Sequence, residues 1–401
     1  TKRYLYCLIP LSFIFLQCKP SQSVLDKVMS SSNPSIKRVR QQLKKHEVQI
    51  VLTEINTEQP TAPQLLRSSF QLDEEHYFYP ASTAKLPIAA LTLQKLNELN
   101  TQGIPIKPTT AFEIRDLQGK AIQLTDTTQR EGKLTLAHLI KKIFLVSDNE
   151  AYNYLFDFLG RDYINQELEK KGLKKTQIFH KFLFGADNIR TWEYTFFDEF
   201  GDTLYQQNSL KSKFNAENKL SGVFKGEGFL QDGEVVKAPM DFRFKNRISL
   251  LDLEGILMRL IYPQLFTIDQ QFTLNDKDLE FLRFWMSRST LESSSPNYDD
   301  GDHWDSYGKF FIYGDQKGKM TDQIRIYNKV GYAYGTLTDV AYIHDKSNNL
   351  SFFLTATILV NENKIFNDDQ YEFDSIGIPF LATLGRLVLR ELQHKQESVV
   401  E

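Results

Sequence analysis

Three features of the 401-residue sequence predict an α/β protein of the α+β kind. Strand-like runs lie near both ends: Val48–Thr53 and the stretch 66–79 early, then Ile324–Val330, Thr338–His344 and Ser351–Val360 late. Between them, about 110 to 320 reads mostly as amphipathic helices, and a last helix, Ile376–Gln396, closes the chain. Strands donated by opposite ends predict one antiparallel sheet flanked by helices, with an all-helical subdomain inserted. A hydrophobic content of 41%, with 30 Phe and 18 Tyr, suffices for a large core and excludes a disordered body.

The elements follow in order. Lys2 and Arg3 precede an uncharged, mostly apolar run, Tyr4–Leu16, which has the length of a signal h-region and is short for a bilayer span. Phe15-Leu16-Gln17-Cys18-Lys19 follows and resembles the lipobox of bacterial lipoproteins, with Cys18 as the lipidated residue. A plain signal peptide or an uncleaved anchor fits the same run. Residues 1–17 are therefore expected to be a signal peptide, and the Ser-rich 18–35, with Pro20 and Pro34, a tether. The expected location is the periplasm or cell surface, as a lipoprotein on a bacterial membrane.

Residues 36–110 should form the first part of the sheet domain. There Val48–Thr53 is the first strand, and from Ser82 the spacing of Leu86, Ile88, Ala89, Leu91, Leu93 and Leu96 predicts a helix ending near Asn100. Residues 111–320 should form the helical subdomain, with helices over Leu136–Val146, Asn149–Leu159, Arg161–Lys171, Ser249–Ile261 and Lys277–Ser287. A Gly- and Lys-punctuated insertion is expected near 194–246. Residues 321–401 complete the sheet domain.

Charge narrows the function classes. Lys plus Arg number 48 against 51 Asp plus Glu, a net charge of -3, so no basic field invites nucleic acid. Both cysteines, Cys7 and Cys18, lie in the first 18 residues, and the seven His show no zinc-binding spacing, so no metal or other cofactor is expected.

Three triplets carry chemistry. Ser82-Thr83-Ala84-Lys85 sits where strand-like sequence gives way to helix, and residues three apart on a helix share a face. Lys85 could take a proton from Ser82 if burial or a second cation lowered its pKa. Ser82 also fits as a helix cap, and a second Ser-x-x-Lys, Ser306–Lys309, lies in a predicted loop. Ser147-Asp148-Asn149 breaks two helices, where Asp or Asn is a preferred cap. Lys329-Val330-Gly331, followed by Tyr332, ends a strand, and Gly331 would allow a substrate close to the backbone.

Taken in order, these triplets resemble those of the penicillin-recognising serine hydrolases, most closely class A β-lactamases, over roughly 45–395. Tyr79-Pro80-Ala81 before Ser82, Leu159-Gly160, and Gly335, Thr336 and Asp339 add to the likeness. The resemblance implies a β-lactamase-like fold, Ser82 as acyl-forming nucleophile, Lys85 as general base or its partner, and Ser147 as relay of a proton to the leaving nitrogen. It further implies Asn149 on the substrate's amide carbonyl, Lys329 as a positive charge near Ser147 and a substrate carboxylate, and the Ser82 and Tyr332 N–H groups as the oxyanion hole. Two departures stand out. Val330 replaces a hydroxyl residue of the family pattern, and Gln177–Phe184, which aligns with the loop holding the family's hydrolytic glutamate, has no carboxylate. Glu193, Asp187 or Glu199 could substitute from a rearranged loop. The expected activity is that of a serine acyl hydrolase on an amide or β-lactam, slow to deacylate, with a β-lactam or peptidoglycan-like small molecule as substrate. A peptidoglycan peptidase resembling penicillin-binding proteins and a non-catalytic binding lipoprotein are the alternatives.

Overall fold

The computed structural model describes residues 22–56, 63–122, 126, 128, 134–183, 185–298 and 301–400. The expected export signal and Cys18 lie outside the described residues. Five antiparallel strands, β1 (Gln49–Asn56), β2 (Gln64–Phe70), β3 (Ile324–Ala333), β4 (Thr336–Asp345) and β5 (Leu350–Leu359), form the main sheet in the order β3-β4-β5-β1-β2. The first strand thus pairs with the last, with Val51 opposite Thr355. A two-residue turn, Tyr334 (φ 50) and Gly335 (φ 72), joins β3 to β4, and positive φ at both centres is what a tight hairpin requires.

Both faces of the sheet are covered, which is why its strands read as near-continuous apolar runs. Successive side chains on β5 alternate: Phe352 and Leu354 join a core with the C-terminal helix, while Phe353 joins the core of the helical subdomain. The short helices α1 (Val24–Met29) and α2 (Pro34–Arg40) pack on that C-terminal helix. After a single helical turn at Leu43–His46, the longer helices are α3 (Lys85–Thr101), α4 (Leu136–Val146), α5 (Asn149–Leu159), α6 (Arg161–Lys170), α7 (Leu250–Ile261) and α8 (Asp276–Ser287); α9 (Ile378–Val400) ends the described chain.

Several expectations are corrected. The stretch taken as a tether is folded from Ser23 onward: Val24, Leu25, Val28 and Met29 are buried. Its polar residues are caps rather than linker; Ser23 forms a capping box with Asp26, and Asn33 caps α2 with Pro34 in the first turn. Of 66–79 only the part up to Phe70 is a strand, and beyond it Tyr77 and Tyr79 lie buried against Phe242. The middle is not all-helical. Phe112–Arg115, Glu193–Phe197 and Thr203–Gln207 form a three-stranded sheet whose Tyr194 and Phe196 belong to the helical core. The presumed insertion is therefore partly core, and its Gly228–Gln231 strand pairs with Ile365–Phe366 after β5, tying it to the sheet domain.

Candidate active site

Ser82 lies in a single 3₁₀ turn, Ala81–Ala84, leading into α3, and the turn begins with Ala81 in the left-handed region (φ 46). Its hydroxyl does not cap the helix, so the capping role open at the sequence level is not the one it takes. Instead Lys85 Nζ, on the same helix face, lies 3.0 Å from Ser82 Oγ. The same nitrogen donates to the Ser147 carbonyl, lies 3.2 Å from Ser147 Oγ and 2.6 Å from Asn149 Oδ1.

Ser147 ends α4 in a left-handed conformation (φ 57), and Asp148 caps α5 by accepting from the Ala151 N–H at 2.8 Å. Of the triplet, the middle residue is thus spent on capping while its neighbours face Lys85. Lys329, on β3, donates to Ser147 Oγ at 2.8 Å and to its neighbour's carbonyl, Val330 O, at 2.8 Å. Ser147 Oγ therefore lies within hydrogen-bond reach of two amines.

Gly331 is placed differently from its expected role. A Cβ there would lie 2.7 Å from Pro80 O and 2.8 Å from the backbone nitrogens of Ser82 and Thr83. What approaches this glycine is the protein's own Ser82 turn, and the missing side chain lets β3 pack directly on it. This contact brings the backbone of Gly331–Tyr332 beside the Ser82 N–H. The Tyr332 ring is exposed and stands edge-on to Phe373 at 5.4 Å.

Lys85 is fully buried, and desolvation, with the Lys329 charge second, holds its pKa well below the ordinary lysine range despite the opposing pull of Asp148. Burial brings Lys329 down to about 7, with Asp339 opposing and a second lysine, Lys309, assisting. Lys309 belongs to the loop Ser-x-x-Lys set apart by the sequence. It is buried beneath Lys329, donating to Asn328 Oδ1 at 2.8 Å and to the carbonyls of Met286 and Ile326. Asn328 in turn donates to Asp339 Oδ1 at 2.9 Å. The sequence places Lys309 in a loop and gives no sign of Asn328, because each contact joins residues that only the folded β3 and its neighbouring loop bring together.

The stretch expected to lack a carboxylate places Phe182 at the site. Its ring centroid is 5.1 Å from Lys85 Nζ, and its N–H donates to Asn153 Oδ1 at 2.7 Å. Of the possible substitutes, Asp187 is paired with Arg190 at 2.7 Å, Glu193 faces Arg115 across a strand pair, and none of Asp187, Glu193 and Glu199 lines either cavity beside the site. Val330 is buried in the sheet core and gives the site no hydroxyl.

Residues 34–216 match the family described as the Beta-lactamase enzyme family, a span that includes Ser82 and Ser147. A β-lactamase from Xanthomonas campestris pv. campestris str. ATCC 33913 superposes with a TM-score of 0.51 at 16% identity, over 92% of this chain and 98% of that one. The fold is β-lactamase-like. The chromosome-encoded β-lactamase of Vibrio parahaemolyticus gives a TM-score of 0.50 at 12% identity, over 90% of this chain and 98% of that one. A β-lactamase from Desulfarculus baarsii DSM 2075 gives 0.50 at 12%, over 89% and 96%. No curated protein matches the sequence. The β-lactamase-like fold accounts for the sheet drawn from both chain ends and for the seam between sheet and helices where Ser82, Lys85, Ser147 and Lys329 meet.

Proposed function

We propose that this protein is a serine acyl hydrolase that works through an acyl-Ser82 intermediate on an amide, ester or β-lactam and deacylates slowly. The observation that carries the reading is the surround of Lys85 Nζ. A neutral amine has two N–H groups, and two of its neighbours, Ser147 O and Asn149 Oδ1, can only accept. The lone pair is then left for the Ser82 hydroxyl 3.0 Å away, which is what a general base needs. In this reading Ser82 Oγ attacks the carbonyl carbon while its proton passes to Lys85. The Ser82 and Tyr332 N–H groups receive the developing oxyanion. Ser147 gives its proton to the leaving atom and regains one from Lys85, and Lys329 keeps the Ser147 oxygen in place. Asn149 is the proposed partner of the substrate's amide.

Slow deacylation rests on Phe182, which occupies the approach to Lys85 with a ring that cannot activate water. The amino-terminal run supports export, with lipidation at Cys18, to the periplasm or surface of a bacterial membrane. The few residues between Cys18 and Val24 reach at most roughly 20 Å when extended, so a body anchored there would rest against the membrane surface. Intact mass after incubation with a penicillin and with a small activated ester tests the activity. One persistent acyl adduct, absent from Ser82→Ala, is expected; an adduct retained by Ser82→Ala would overturn the assignment of the nucleophile.

A further inference from the structure

We propose, resting on the acyl-Ser82 reading, that the leaving group this site accepts is a neutral aromatic alcohol, so that its preferred substrates are aryl esters without a carboxylate on the leaving side. A cavity of about 280 Å³ opens beside Ser147 and Lys329. Since Ser147 is the hydroxyl that would protonate the departing atom, the cavity it lines receives the leaving group. Six aromatic rings line it: Phe144, Trp304, Tyr307, Phe310, Tyr332 and Phe373. Leu337, Ile378 and Val330 add aliphatic surface. An apolar cavity of about 150 Å³ takes up benzene, so this one has room for a fused bicyclic ring.

Its polar groups are largely engaged elsewhere. Asn328 donates to Gly308 O and to Asp339, and accepts from Lys309. Ser306 donates to Gln316 O. Lys329, the basic group among the lining residues, is buried and already donates to Ser147 Oγ and Val330 O. Lys317 lies over the Trp304 ring at 4.5 Å but does not line the cavity. The exposed Asp374 does line it and repels an anion. A carboxylate placed here would lose its water inside a wall of aromatic rings and beside the Asp374 carboxylate, which is unfavourable, whereas an aryl group gains apolar burial and ring contacts. A second cavity, of about 400 Å³, lies beyond Tyr332 and Phe373, which wall both; it is lined by Tyr79, His180 and Lys245 among others and is left for the acyl side.

In the step, the Ser82 Oγ–acyl bond forms and the acyl–aryloxy bond breaks. The Ser82 proton, taken by Lys85 and relayed through Ser147, ends on the aryl alcohol. The test compares acylation of the full chain by phenyl acetate, 2-naphthyl acetate and 3-carboxyphenyl acetate, with a small fluorophosphonate as a probe of Ser82 that carries no aryl leaving group. Acylation by the naphthyl ester at least about tenfold faster than by the phenyl ester, and by the carboxyphenyl ester at least about tenfold slower, is expected, together with calorimetric binding of 2-naphthol but not of 3-hydroxybenzoate. Phe310→Ala should lower the naphthyl preference and weaken 2-naphthol binding together. Fluorophosphonate labelling of Ser82 with equal ester rates, or with a preference for the carboxylate, would overturn the leaving-group assignment alone. No labelling by fluorophosphonate or any ester would overturn the acyl-enzyme reading and this inference with it.

Discussion

Lys85 Nζ and the Phe182 ring centroid lie 5.1 Å apart, so the amine that faces Ser82 has an aromatic ring beside it. A carboxylate at position 182 would be within reach of the same space. Phe182→Glu is therefore expected to shorten the lifetime of the acyl adduct about tenfold or more, a conservative fraction of what a positioned general base contributes. The adduct's decay, followed by intact mass after removing excess ester, checks it; an unchanged lifetime would show that the ring is not what limits deacylation.

Removing the base should cost more than removing its neighbour. Lys85→Met is expected to slow acylation by about 10²–10⁴-fold, the range for a positioned general base, with the fold kept, since a methionine fills the same buried channel. The rate of adduct formation measures it directly.

The pH dependence of acylation depends on the pair of lysines. In the proposed mechanism acylation needs neutral Lys85, and burial together with Lys329 holds its pKa well below that of a free lysine. The rising limb of the pH–rate profile should accordingly fall well below pH 10. Lys329→Met removes a neighbour whose charge, while it is protonated, lowers the pKa of Lys85, so the limb should move to higher pH and the rate at pH 7 should drop. A limb that stays put would deny the electrostatic coupling.

Stability should also rise with pH above neutrality. Lys95, Lys309 and Lys329 have folded-state pKa values near 7, far below the ordinary lysine value, chiefly through burial. Between pH 7 and about 10 the unfolded chain binds these protons and the folded chain does not, so unfolding becomes less favourable as pH increases. The raised carboxylates Asp157 and Asp339, both about 6, act in the opposite sense only below that window. Denaturant midpoints at pH 7 and pH 9 should show the increase, and Lys95→Met should reduce it.

The Lys181–Asp157 pair offers a separate check on the helical core. Lys181 Nζ reaches both Asp157 oxygens, at 2.9 and 3.1 Å, with both side chains buried. Breaking one partner of such a pair strands a buried charge at about 3–5 kcal/mol. Lys181→Met should be destabilising by that order, and adding Asp157→Asn should restore much of it, measured by chemical denaturation.

Much of this was legible in the sequence where local pattern and tertiary context agree. The helices Leu136–Val146 and Asn149–Leu159 fall where the apolar spacing predicts them, and the three late strands differ from prediction only at their ends. Pairing of the first strand with the last followed from their separation by helices. Composition misled where polar residues do structural work. Ser23 and Asn33 look like linker residues and are caps, so α1 and the start of α2 were read as tether. Gly331 carried the right signal, close approach, but the sequence does not say what approaches. The electrostatic surroundings of Lys329 were hidden because the charges of Lys309 and Asp339 act on it from a loop and a neighbouring strand, and no spacing rule links them.

The most direct test of the central claim is the pre-steady-state reaction with p-nitrophenyl acetate. A burst of one equivalent of p-nitrophenolate per chain, followed by a much slower steady release and absent from Ser82→Ala, is the predicted result. Linear release from the first turnover, or a burst that survives Ser82→Ala, would contradict a slowly deacylating acyl-Ser82 enzyme.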